Sequence, residues 1–193
     1  MHPDRIQKQY SLSQEIQAGT VSVPVSVSLP LPVSSVSHTT NATTDSDADA
    51  ELNPTITHPS THTLIGSNFI RTPVESTPFY TDWLNKLDHR EMHLQQYREC
   101  TIICPSWFYA REVYTRVYNH NNVGFVEKHP DLGRIPEDLI FFLDHLSLGG
   151  SLAKVPSPLV TYRYLHTSWS IGTKALDLQR VRVKYLQEAV LSL

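Results

Sequence analysis

The stretch Ile135-Pro136-Glu137-Asp138-Leu139-Ile140-Phe141-Phe142, followed by Gly149-Gly150 and then by Tyr162-Arg163-Tyr164, decides how this chain is read. Pro136 suits the first turn of a helix, because its missing N–H has no partner to lose there. Glu137 and Asp138 then lie where the helix dipole is positive, which favours the charged form of both. Leu139, Phe142, Leu143 and Leu146 recur at helical spacing on one face, and Gly149 is a helix stop. A carboxylate held rigidly at the mouth of a buried helix is well placed to take a proton from a hydroxyl. Acidic residues in a first turn also serve simply to complement the dipole, and the triplet alone leaves both roles open.

Working outward, Thr101-Ile102-Ile103-Cys104-Pro105-Ser106-Trp107-Phe108 and Val123-Gly124-Phe125 precede this stretch, and a short apolar strand joins Gly149-Gly150 to Tyr162-Arg163-Tyr164. That order of motifs resembles the second half of a family-2 glycosyltransferase domain, which has the GT-A fold. Within the family, the Pro-Ser-Trp-Phe and Pro-Glu-Asp-Leu wording is most similar to the animal β-1,3-N-acetylglucosaminyltransferase-like group. The likeness also takes in Gly66-Ser67-Asn68-Phe69-Ile70-Arg71-Thr72-Pro73 and Ser76-Thr77-Pro78-Phe79-Tyr80-Thr81-Asp82-Trp83, and runs from about Thr63 to the C-terminus. Met1-His2-Pro3-Asp4-Arg5-Ile6-Gln7-Lys8-Gln9 is similar to the segment that directly follows the aspartate-rich metal motif of such enzymes. The resemblance therefore implies an α/β fold: a partial GT-A domain that begins just after the metal-binding aspartates and lacks its N-terminal donor-binding strands.

By the same resemblance, the reaction is inverting transfer of a sugar, N-acetylglucosamine being one candidate, from a UDP donor to a glycan or other hydroxyl acceptor. Asp138 is the implied general base and Glu137 the residue that orients the acceptor or the base. A divalent cation, Mn or Mg, is implied as an offset for charge on the departing diphosphate. Trp107 is a candidate acceptor-binding ring, with a core tryptophan as the alternative. Arg163 is a candidate phosphate contact, with an exposed strand arginine as the alternative. His166 is the candidate metal ligand, although Leu165 separates it from the Tyr-Arg-Tyr motif and turns a strand-borne side chain to the opposite face unless a bulge intervenes. The rival expectation is a catalytically inactive fragment that acts at most as a binding module.

Composition narrows the partners. The formal net charge is −3 and no Lys/Arg run occurs, which argues against nucleic acid. No apolar run approaches the roughly twenty residues that span a bilayer. The absence of a visible secretory signal and the presence of only two cysteines, Cys100 and Cys104, favour the cytoplasm without fixing the compartment. Both cysteines are expected to be reduced, with Cys104 as a small core residue.

Three segments are expected. Residues 1–19 read as a helix with Ile6, Tyr10 and Ile16 inward and Gly19 as its stop. Residues 20–62, rich in Ser, Thr, Pro and Val, read as a disordered insertion, since prolines at 24, 30 and 32 remove ladder donors. Within it, Asp45-Ser46-Asp47-Ala48-Asp49 imitates a metal motif without the apolar strand such a motif needs, and Asn41-Ala42-Thr43 is a glycosylation sequon. Residues 63–193 read as the C-terminal half of the glycosyltransferase domain. Its expected elements are a strand through Leu64–Ile70, a helix over Tyr80–Leu87, a capping box at Asp88 leading a helix with Leu94 and Tyr97, and a strand over Thr101–Cys104. A helix over Phe108–Val117, an inserted 118–122, strands over 152–155 and 159–164, and a final helix with Val181, Tyr185, Leu186 and Ala189 inward complete the reading. His89, His93, His120 and His129 share no metal-ligand spacing and are read as surface residues.

Overall fold

A computed structural model of the 193-residue chain describes residues 2–21, 59–125, 128–129, 133–165 and 175–191. The elements are helix α1 (Arg5–Gln17), strand β1 (Thr63–Thr72), helices α2 (Pro78–Lys86), α3 (His89–Leu94) and α4 (Arg111–Asn121), short strands β2 (Lys128–His129) and β3 (Gly133–Arg134), helix α5 (Glu137–Ser147), strand β4 (Ser151–Arg163) and helix α6 (Ala175–Leu191). The fold is mixed α/β, built on a two-stranded parallel sheet of β1 and β4, with β2 and β3 as a separate antiparallel pair. Residues 22–58, which hold the acidic run and the sequon, lie outside the described residues, as does His166.

Alternation along β1 and β4 separates two cores. Leu64 and Leu152, paired in register, face the larger core with residues of α2 to α6. Their neighbours Ile65 and Ala153, also paired, face Ile16 of α1 on the other side. The two expected C-terminal strands form one, because the register shifts between Ser67 and Phe69 absorb Pro156, Ser157 and Leu159, and Asn68 Nδ2 donates to the Pro156 carbonyl at 2.8 Å.

Helix α1 departs from its apolar reading. Ile6 and Tyr10 are 56% and 52% exposed, whereas Arg5, Gln9 and Ile16 are buried. Gln9 Nε2 donates to the carbonyls of Ser106 (2.7 Å) and Ile65 (3.3 Å). Arg5 donates from Nε to Gln9 Oε1 at 3.1 Å and from Nη2 to the Trp107 carbonyl at 3.2 Å. The helix is docked through carbonyls beside the sheet, those of Ser106 and Trp107 and that of Ile65, which also accepts from the Phe108 N–H at 2.8 Å, and the demand of buried carbonyls for donors outweighs the hydrophobic pattern. Gly19 (φ +71°) ends it as expected.

Thr101–Cys104 is not a strand. Thr101 and Ile102 are buried, but Cys104–Ser106 winds into a 3-10 turn with Pro105 in it, and the only bridge to β1 is made by Phe108, paired antiparallel with Ile65. Gly66 permits this layer, since a Cβ there would run into Ile102. Cys100, not Cys104, is the fully buried cysteine, and both thiols are free. The Asp88–Glu91 capping box is complete, with bonds of 2.7 and 2.9 Å, although the helix it opens buries Met92 and leaves Leu94 67% exposed. Residues 118–121 continue α4, and Asn122 caps it in the left-handed conformation.

Helix α5 is buried on all sides from Leu139 to Leu146, not on one face. It ends at Gly149 (φ +77°), where the N–H groups of Gly149 and Gly150 donate to the carbonyls of Leu146 and His145, each at 2.9 Å. Buried Asp144 gathers the surrounding pieces: it accepts from Asn121 Nδ2 at 2.8 Å and from the Tyr185 hydroxyl of α6. On α6, Val181 is buried and Tyr185 and Ala189 are half-buried, but Leu186 faces outward.

Candidate active site

Pro136 is the N-cap of α5, and Glu137 and Asp138 occupy its first turn. Glu137 is exposed, while Asp138 is half-buried beside the buried Ile135 and Leu139. The Leu139 N–H donates to Asp138 Oδ1 at 2.9 Å. The two carboxylates do not share one environment. Burial, reinforced by the charge of Glu137, raises the Asp138 pKa above its ordinary value despite the Leu139 N–H. For Asp138, burial therefore opposes the charged form that the helix dipole favours.

Several groups lie within electrostatic reach of Asp138. Burial pushes the Cys104 thiol up to about 12, with Asp138 and Glu137 adding to the effect, and Cys100 is raised by burial and then by Asp138. Both thiols are thus held protonated, which makes them poor nucleophiles at neutral pH. The Tyr80 hydroxyl is raised chiefly by burial, then by Glu99, while Arg71 acts in the opposite sense. Glu99 is engaged by Arg182 at 3.3 Å. Asp138 has no ion pair among the described residues, which leaves its half-buried carboxylate available to accept a proton.

The Tyr162-Arg163-Tyr164 motif divides between two faces of β4, as side chains alternate along a strand. Arg163 is exposed. Tyr162 and Tyr164 instead surround the guanidinium of Arg71, whose Cζ lies 4.9 Å and 5.5 Å from their ring centroids. Tyr80 lies at 5.2 Å and Phe69 at 5.9 Å from the same atom. Neither Arg71 nor Tyr80 was singled out as a site residue in the sequence. The alternation of Tyr-Arg-Tyr could have placed the tyrosines together, but only the β1–β4 register, which pairs Arg71 with Tyr162, identifies what they hold.

Trp107 is a core residue. It is 9% exposed, donates from Nε1 to the Ile102 carbonyl at 2.9 Å, and packs against Phe125 and Phe141. Val123-Gly124-Phe125 is a turn, as expected, with Asn121 Oδ1 accepting from the N–H groups of Val123 (2.9 Å) and Gly124 (2.6 Å). A buried histidine that sequence reasoning passed over, His145, lies in the last turn of α5 with one ring nitrogen 3.1 Å from the Ser151 carbonyl. His89 and His93 are half-buried and His120 lies 3.8 Å from Asp144, so the surface reading holds fully for none of these but His120, which is exposed.

Among the described residues, no group of three or more His, Cys, Asp and Glu side chains could hold a metal ion. No described helix is long and apolar enough to cross a membrane. In comparisons with known proteins, no family model matches the chain and no solved structure matches it.

Proposed function

We propose that this chain carries the acceptor-side part of an inverting family-2 glycosyltransferase domain of the GT-A fold, with Asp138 as general base. The observation that carries the reading is the half-buried carboxylate of Asp138, without an ion pair among the described residues and raised in pKa at the start of a rigid buried helix. A base needs a proton affinity closer to the working pH than that of a hydrated carboxylate, and burial provides it. Asp138 would take the proton of an acceptor hydroxyl as that oxygen attacks the anomeric carbon of a UDP-sugar. The new C–O bond forms opposite the departing UDP, and the configuration inverts. Exposed Glu137 would orient the acceptor. A divalent cation, Mn or Mg, belongs to this reading as a charge offset on the diphosphate, but the described residues supply no ligand set for it and no step is assigned through it.

A second reading, a binding module without turnover, is favoured by the burial of Trp107 and the outward position of Arg163, which remove two contacts expected for substrate. Calorimetric titration with UDP and manganese separates the two. Saturable manganese-dependent binding, followed by sugar transfer that Asp138→Asn lowers by about 10²- to 10⁴-fold with UDP binding retained, supports the enzyme. A folded chain that binds no UDP supports the module.

A further inference from the structure

Lys154 is a half-buried lysine whose nitrogen is held by two main-chain carbonyls. It stands on β4 in register with Gly66, on the face that carries buried Leu152, and its side chain runs to the end of α2. There Nζ donates to the Leu84 carbonyl at 2.8 Å and to the Asn85 carbonyl at 3.1 Å. Exposed Lys86 and Lys184 reach Asp82 and Glu188 at 3.9 and 4.0 Å, whereas Lys154 has no carboxylate within that range among the described residues. The acidic residues nearest in effect, Glu91 and Asp88, are engaged with each other's N–H groups in the capping box.

An ammonium carries three N–H donors and no lone pair. Two of the three are matched here, and the third has no acceptor among the described residues. Loss of that third proton keeps both carbonyl bonds and puts a lone pair in its place, so the cradle fits the neutral amine. Burial acts in the same direction: it lowers the Lys154 pKa from 10.5 to about 8, against Glu91 and Asp88, which raise it. His89 of α3 lies within electrostatic reach of the same nitrogen. A desolvated, positioned amine of this kind is a nucleophile near neutral pH, where a hydrated surface lysine is almost wholly protonated.

We propose that Lys154 is a site of covalent modification by activated acyl groups of the acyl phosphate class. The amine lone pair attacks the acyl carbon, the N–C bond forms, the C–O bond to phosphate breaks, and the proton shed by nitrogen ends on the phosphate released. The amide nitrogen keeps a single N–H, so only one of the Leu84 and Asn85 carbonyls retains its donor, and acylation loosens α2 from β4. No sugar, nucleotide or metal takes part, so the site is independent of the glycosyltransferase reading. Brief treatment of the full folded chain with acetyl phosphate, followed by peptide mass spectrometry, tests it. At neutral pH and less than one modification per chain, Lys154 is expected to acetylate roughly tenfold or more faster than Lys86 and Lys184. Its rate should level off above about pH 8, while theirs go on rising. In urea the three should react within about twofold of one another. A Lys154 rate no greater than theirs in the folded chain, a shared pH profile, or a preference that survives urea overturns the proposal.

Discussion

Gln9 Nε2 donates to the carbonyl of Ser106 at 2.7 Å, across 97 positions of sequence, and so fastens the first helix to the turn that lies over β1. The same nitrogen reaches the Ile65 carbonyl, and Arg5 Nε bonds the Gln9 oxygen. Gln9→Ala removes the donor of the buried Ser106 carbonyl and the acceptor of Arg5 Nε, and is expected to lower stability by about 1–3 kcal/mol. Ile6→Ala, on the exposed face, should change it by less than about 0.5 kcal/mol. Urea unfolding of the two variants side by side checks the assignment; the reverse order would mean that α1 docks through its apolar residues.

Gly150 backs directly onto the His145 imidazole, and a Cβ there would collide with the ring. The ring cannot swing aside, because it is buried and bonded to the Ser151 carbonyl. Gly150→Ala is therefore expected to cost about 1–3 kcal/mol through overpacking. Thermal melting should show a clearly lower midpoint; an unchanged midpoint would count against the packing of α5 on β4.

Burial lowers the His145 pKa from 6.5 to about 4, only partly countered by the Ser151 carbonyl. Between those values the unfolded chain takes up a proton that the folded chain refuses. Stability from this group is full above pH 6.5 and is lost as the pH falls towards about 4. Denaturant midpoints measured across that window should decline on acidification. The decline should be smaller in His145→Gln, and equal slopes in both proteins would refute the assignment.

Asp138 has the opposite sign. Its pKa is raised by burial and by Glu137, so ionisation costs more in the folded chain than in the unfolded one. Asp138→Asn should be more stable than the parent at neutral pH, with the advantage disappearing as the pH falls below the ordinary carboxylate value of 3.8. A variant less stable at neutral pH would show that the helix dipole governs this carboxylate after all.

What was legible in the sequence was local. The Asp88–Glu91 capping box, the Gly149 stop, the Val123-Gly124-Phe125 turn and the helix opened by Pro136 all depend on groups a few residues apart. Their types and spacing therefore determine them before the chain folds. Tertiary structure decided which face of α1 is buried, why Thr101–Cys104 does not join the sheet, and that Trp107 fills the core. It also decided that burial raises the Asp138 pKa and that aromatic rings surround Arg71. Each of these depends on partners far away in sequence, such as Ser106 for Gln9 and Tyr162 for Arg71. Loss of hydration and the demand of buried polar groups for partners are properties of the packed interior, and no spacing along the chain encodes them directly.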